Sequence, residues 1–151
     1  MSTQAAFTDT RLAELAAECP ALRLLTEPGD LEHYGRDWTR RWTPAPLAIA
    51  LPGTADEVQI IVRWANRHRV AIVPSGGRTG LSGGAVAAQG ELVLSLERMN
   101  RVLGFDPVDR TLTVQPGISP WVALLCGLFL GTGTTVLTRI ARRARQNKGL
   151  D

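Results

Sequence analysis

The residues whose types and spacing could do chemistry lie in one stretch, Pro74-Ser75-Gly76-Gly77-Arg78-Thr79-Gly80-Leu81-Ser82-Gly83-Gly84-Ala85-Val86. It holds five of the fifteen glycines, so its backbone can reach φ > 0 and approach a ligand with no Cβ between them. Several successive N–H groups can then converge on one anion, and a pyrophosphate suits such a nest. Thr79 and Ser82 add hydroxyl donors, and Arg78 adds either a charge for phosphate or a salt bridge that braces the loop. Tight turns and flexible lids use the same composition, so on the residues alone both readings stay open. Two familiar phosphate loops are excluded. There is no Gly-x-x-x-x-Gly-Lys-Ser/Thr, and Gly77, Gly80 and Gly83 do not have the Gly-x-Gly-x-x-Gly spacing.

No other residues form a reactive constellation. His33 and His68 are solitary, whereas a metal site needs several converging donors, so both are expected at the surface or a helix end. Cys19 and Cys126 are far apart without paired spacing, which predicts two buried thiols in a reducing, cytoplasmic setting and no disulfide or metal knuckle. No catalytic residue and no metal ligand is assigned.

The elements that must position the loop can be read on either side of it. Leu47 to Leu51 is an apolar run suited to a buried strand, and Pro52-Gly53 turns it toward a helix. Thr54 and Glu57 make a capping box, with the carboxylate expected to return to the Thr54 N–H. Val58, Ile61, Val62 and Ala65 form one apolar stripe, with Arg63, Asn66 and Arg67 outward, so this helix must lie on a sheet. A second strand, Ala71 to Pro74, completes a βαβ unit whose first two strands are expected to be parallel, with a right-handed crossover. The loop then sits at the carboxyl end of a parallel strand, where open α/β sheets bind ligands. Beyond it come a buried strand, Leu92 to Leu96, and a hairpin from Arg101–Phe105 to Thr111–Gln115 about the turn Asp106-Pro107-Val108-Asp109. Upstream, a helix capped by Thr8 or Asp9 carries Leu12, Leu15, Ala16 and Cys19 and ends at Pro20. The segment Leu31 to Thr43, with Tyr34, Asp37, Trp38 and Trp42, runs into Pro44-Ala45-Pro46 and is read as a loop.

Five blocks in order carry a family resemblance: Leu47–Pro52, the helix Ala55–His68, the loop Pro74–Val86, Leu92–Val102 with Arg98-Met99-Asn100-Arg101-Val102, and Thr113-Val114-Gln115-Pro116-Gly117. The chain resembles FAD-linked oxidases with the vanillyl-alcohol oxidase (PCMH) type of flavin-binding domain, in the branch of D-2-hydroxyglutarate, D-lactate and glycolate dehydrogenases. The resemblance implies an α+β fold, here the N-terminal portion of that domain: βαβ parallel strands with helices, then an antiparallel hairpin. It implies FAD as cofactor and partner, with Ser75, Gly76, Gly77, Arg78, Thr79, Gly80 and Leu81, together with Gly83 and Gly84, at the pyrophosphate and the flavin, and Pro52 at its border. Relatives that attach flavin covalently have a histidine where this chain has Arg78, so FAD is expected to be held non-covalently. The segment with Tyr34 and Asp37 is expected near the cofactor, or else as an aromatic plug on the sheet edge. The reaction implied is hydride transfer from a D-2-hydroxy acid to the flavin.

Residues 1–30 are read as a helix and lead-in, 31–119 as a partial FAD-binding domain, and 120–151 as a divergent tail. The family continues with a helix and a second glycine signature, followed by a substrate domain. Here Pro120 to Thr138 is instead a run without charge, followed by Arg139, Arg142, Arg143, Arg145 and Lys148. A truncated or frame-shifted product is the expectation, with little or no dehydrogenase activity alone. The alternatives are a buried helix followed by a basic surface helix, or a non-enzymatic remnant that uses the apolar run and basic cluster to reach a membrane or partner. Net charge is only +3 over 151 residues and no aromatic-plus-basic interleaving occurs, which argues against a nucleic-acid-binding domain.

Overall fold

The computed structural model describes residues 9–78, 80–109 and 111–119. Thr79, Cys126, and the apolar run and basic cluster of the tail lie outside them.

The fold is a four-stranded mixed sheet followed by a separate two-stranded hairpin. Helix α1 (Thr10–Glu18) is capped by Asp9, whose side chain accepts from the Arg11 N–H, and it buries Leu12 and Leu15. Strand β1 (Arg23–Leu25) then pairs antiparallel with β2 (Ala48–Leu51). Helix α2 (Pro28–Tyr34) lies between them in sequence. Helix α3 (Ala55–His68) leads to β3 (Ile72–Ser75), and β4 (Leu92–Ser95) returns to the sheet. Strands β5 (Val102–Asp106) and β6 (Thr111–Val114) form the expected antiparallel hairpin.

The strand order is β1-β2-β4-β3, so the two strands of the βαβ unit are not neighbours. Both pair in parallel with β4, which lies between them. Burial explains the placement. Every residue of β2 and of β4 is buried, as a strand flanked on both sides and covered on both faces must be. β3 is partly exposed and carries Pro74, which lacks a ladder donor and belongs on an edge strand.

Other local expectations are corrected. Part of the segment read as a loop is helical, because α2 reaches Tyr34; Pro28 opens it with a preset φ and Asp30 complements its first turn. The proline pair excludes a helix through residue 46 but not one that stops twelve residues earlier. Strand β1 escaped notice because three residues cannot display an alternation. At α3 the Thr54 hydroxyl accepts from the Glu57 N–H as expected, but the Glu57 carboxylate takes the N–H of Gly53, at 2.7 Å, rather than that of Thr54. The apolar face of α3 is also rotated: Ile61, Trp64 and Ala65 are buried, while Val62 is 39% exposed. Trp64 captures that face because its ring fills the space between α3 and α1 and its Nε1–H donates to the Arg11 carbonyl at 3.0 Å.

The largest core cluster joins Leu12, Leu15, Cys19 and Leu22 to Ile61, Trp64 and Ala65 of α3 and to Ala48, Ala50, Leu92 and Leu94 of the sheet. The opposite face buries Ile49, Leu51, Val93 and Ala87, with Leu31 and Tyr34 of α2 packed on them. Cys19 is buried as expected, and His68 sits at the end of α3 against Trp64 and Glu14.

Candidate cofactor site

Parallel strands β2, β3 and β4 deliver their carboxyl ends to one edge of the sheet. β2 runs into Pro52-Gly53, β3 into Gly76-Gly77-Arg78, and β4 into Leu96-Glu97-Arg98. The strand ends are tied together, since the Leu96 N–H donates to the Ser75 carbonyl at 2.8 Å and the Arg98 guanidinium donates to the Leu51 carbonyl at 2.7 Å. The same guanidinium lies against Gly53, 3.4 Å from where a Cβ would stand.

The expected site residues differ in their surroundings. Pro52 and Ser75 are buried at the strand ends. Ser75 Oγ has no hydrogen-bond partner among the described residues, although a buried hydroxyl is normally paired. Gly76 packs against backbone, because a Cβ on it would come within 3.2 Å of the Pro116 carbonyl oxygen. Gly77, Gly80 and Leu81 are exposed, and among the described residues nothing lies within 4 Å of a Cβ position at Gly80 or Gly84. Gly83 has φ +79, a conformation that L side chains rarely adopt. The loop that leaves the carboxyl end of β3 therefore offers a ligand exposed glycine main chain, which fits a phosphate-bearing group.

Arg78 is braced. Its own φ is +52, its guanidinium lies 4.6 Å from the centre of the Tyr34 ring, and its Nη2 stands 3.8 Å from Glu97 Oε2. Tyr34 donates its hydroxyl to the other Glu97 oxygen at 2.5 Å; burial and this bond push the phenol above its ordinary pKa. Arg78 Nη1 is buried and has no partner among the described residues. The salt-bridge alternative for Arg78 is thus realised. A cleft of about 470 Å³ opens beside it, lined by His33, Arg36, Asp37, Trp38, Arg40, Gly77 and Arg78. Its lining carries three guanidinium groups and one carboxylate, and two of those guanidinium groups are paired, Arg36 with Glu32 and Arg78 with Glu97.

Asp37 is 5% exposed. Its Oδ1 accepts from the Thr39 hydroxyl at 2.7 Å and the Thr39 N–H at 3.0 Å, and its Oδ2 accepts from the Gly83 N–H at 3.1 Å. The Thr39 hydroxyl above all, joined by these backbone donors, holds the carboxyl below its ordinary pKa despite burial. The segment with Tyr34 and Asp37 thus lies against the glycine loop.

Glu97, Arg98 and Pro116-Gly117 also shape the site, and sequence reading gave them no role. A signal existed for the first two, which are the first charged residues after the buried run 92–96, at the carboxyl end of a strand. Gly117 stands in the last of the five family blocks, but its packing role shows only in three dimensions. A Cβ there would lie 1.9 Å from the Leu96 carbonyl oxygen and 2.8 Å from that of Met99, while its N–H donates to the Met99 carbonyl. Gly117→Ala is therefore expected to force the exit of β6 away from β4 and to cost about 1–3 kcal/mol, read as a lowered urea midpoint.

Among the described residues no group of three His, Cys, Asp or Glu could hold a metal ion, and no helix is long and apolar enough to cross a membrane.

Comparison with known proteins follows the same outline. The profile of a family described as FAD binding domain matches residues 46–126. A D-2-hydroxyglutarate dehydrogenase of Xanthomonas citri pv. viticola is 74% identical over 111 residues, covering 74% of this chain and 24% of that protein. One of Stutzerimonas stutzeri is 55% identical over 96 residues, covering 64% of this chain and 21% of that protein. The chain thus spans about a quarter of the length of these relatives. Among solved structures, a xylooligosaccharide oxidase from Myceliophthora thermophila C1 in complex with xylobiose superposes with a TM-score of 0.61 at 27% identity, over 73% of this chain and 23% of that one. p-Cresol methylhydroxylase gives 0.60 at 24% identity, over 73% and 22%, a likeness of fold alone.

Proposed function

Because the chain belongs to the FAD-binding domain family, we propose that Pro52, Ser75, Gly76, Gly77, Arg78, Thr79, Gly80, Leu81, Gly83 and Gly84 form its FAD site, with the glycine loop around the pyrophosphate. The observation that carries this assignment is the exposed glycine loop that leaves the carboxyl end of β3 directly after Ser75, whose buried hydroxyl has no partner among the described residues. Backbone N–H groups of the loop would donate to the phosphate oxygens, and the Arg78 and Arg40 guanidinium groups would lie on the side of their charge.

The larger protein in which this domain works is a dehydrogenase of a D-2-hydroxy acid, a reading supported by the 74% and 55% identities to D-2-hydroxyglutarate dehydrogenases. Bound FAD supplies the redox chemistry of that reaction. The residues of this chain bind and orient it, and no proton-transfer role falls to any of them. Tyr34 and Glu97 keep the Arg78 guanidinium against the site as a fixed cation, and the attachment is non-covalent. The chain works in the cytoplasm.

Titration of the purified chain with FAD, followed by flavin fluorescence, tests the assignment, with circular dichroism confirming the fold. Saturable binding is expected, and acid precipitation should leave the flavin in the supernatant. A folded chain with no affinity for FAD would remove the assignment, and flavin carried down with the precipitate would remove non-covalent attachment.

A further inference from the structure

We infer that Asp37 is a positioning residue which sets the glycine loop in a ligand-ready form by holding the Gly83 N–H. A buried carboxylate must find donors, and Asp37 finds them on two segments: Oδ1 takes both donors of Thr39, which leaves Oδ2 for Gly83, forty-six residues away. Gly83 sits at φ +79, so its peptide has many competing orientations and this bond selects one of them. The selected orientation is propagated, because the Gly83 carbonyl accepts from the Val86 N–H at 3.1 Å and the Gly35 carbonyl accepts from the Ala87 N–H at 2.9 Å. Trp42 covers the same glycine, with Nε1 3.5 Å from the Cβ position. The segment 35–42 thus grips the far end of the loop, as Tyr34 and Glu97 grip Arg78 near its start.

A carboxylate beside an anion site looks counterproductive, and this gives the inference a signed consequence, which rests on the FAD reading. If Asp37 acted on a pyrophosphate only through its charge, removing that charge would tighten FAD binding. As a positioning group its loss weakens binding instead, because a loop this rich in glycine must then be ordered by the ligand.

The test uses the full chain with Asp37→Ala and Asp37→Asn. In the ligand-free chain, amide hydrogen exchange at Gly83 is expected to quicken about 10- to 100-fold in Asp37→Ala, the loss of one charge-assisted bond, with the amides of β2 and β4 unchanged. FAD affinity is expected to weaken by a similar factor, and Asp37→Asn, whose single acceptor oxygen cannot serve both Thr39 and Gly83, should show both losses in the same direction, at the smaller end of that range. Unchanged Gly83 exchange in a folded Asp37→Ala chain would overturn the inference, as would tighter FAD binding by either variant. Should Asp37→Ala not fold, Gly83 exchange in Asp37→Asn decides alone, with a measurable rise supporting the inference and none overturning it. A wild-type chain that fails to bind FAD would sink the FAD reading, and the exchange measurement would still decide the role of Asp37.

Discussion

Gly80→Trp is expected to leave the chain folded and to weaken FAD binding about 100-fold or more. Position 80 is exposed, and among the described residues no heavy atom lies within 4 Å of a Cβ built there, so there is room for a side chain. The same openness is what a cofactor needs. An indole on the loop occupies the approach to its main chain, and losing two charge-assisted hydrogen bonds already removes about 3 kcal/mol, a factor of 100 or more. Circular dichroism and the urea midpoint should match the wild type while the flavin fluorescence titration flattens. A folded variant that binds FAD like the wild type would mean that the loop does not hold the pyrophosphate. Gly117→Ala gives the contrast between glycines: there the bare α-carbon serves close packing of β6 on β4, and the cost falls on stability.

Trp64→Ala is expected to cost about 3–5 kcal/mol in urea unfolding, the range for emptying a large aromatic site in a packed core. Trp64 is fully buried and is the largest side chain in the cluster that joins α1, α3 and the sheet. Truncation opens a cavity between the two helices and strips the Arg11 carbonyl of its indole donor. A loss of that size is a large fraction of the stability of a small domain, about 5–15 kcal/mol, so the urea midpoint should fall steeply. Trp64→Phe keeps most of the volume but not the donor and should lose much less. A change below about 1 kcal/mol in Trp64→Ala would show that α1 is not part of the cooperative unit. The ion pairs of Arg67 with Glu18 and Glu14 cannot replace this packing, because exposed pairs contribute little.

Local chemistry was legible wherever a residue type admits few conformations. The Thr54 cap, the apolar runs of β2 and β4, the hairpin turn and the glycine loop after β3 could all be read along the chain, because each depends on neighbours within a few positions. The order of five such blocks was enough to indicate the family and its cofactor. Only the tertiary structure placed β4 between β2 and β3, since pairing depends on which strands are buried on both sides and not on their order in sequence. Only it turned α3 onto Trp64, because the partner that fills that face, α1, lies more than forty residues upstream. The candidate site divides in the same way. Its glycines announce a bare backbone, but the hold on that backbone comes from Asp37, Tyr34, Glu97 and Gly117, each distant in sequence and each recognised by a single bond or close approach. Such contacts leave no periodic trace, because they satisfy one buried polar atom or one tight packing at a time, and only the folded chain shows which atom that is.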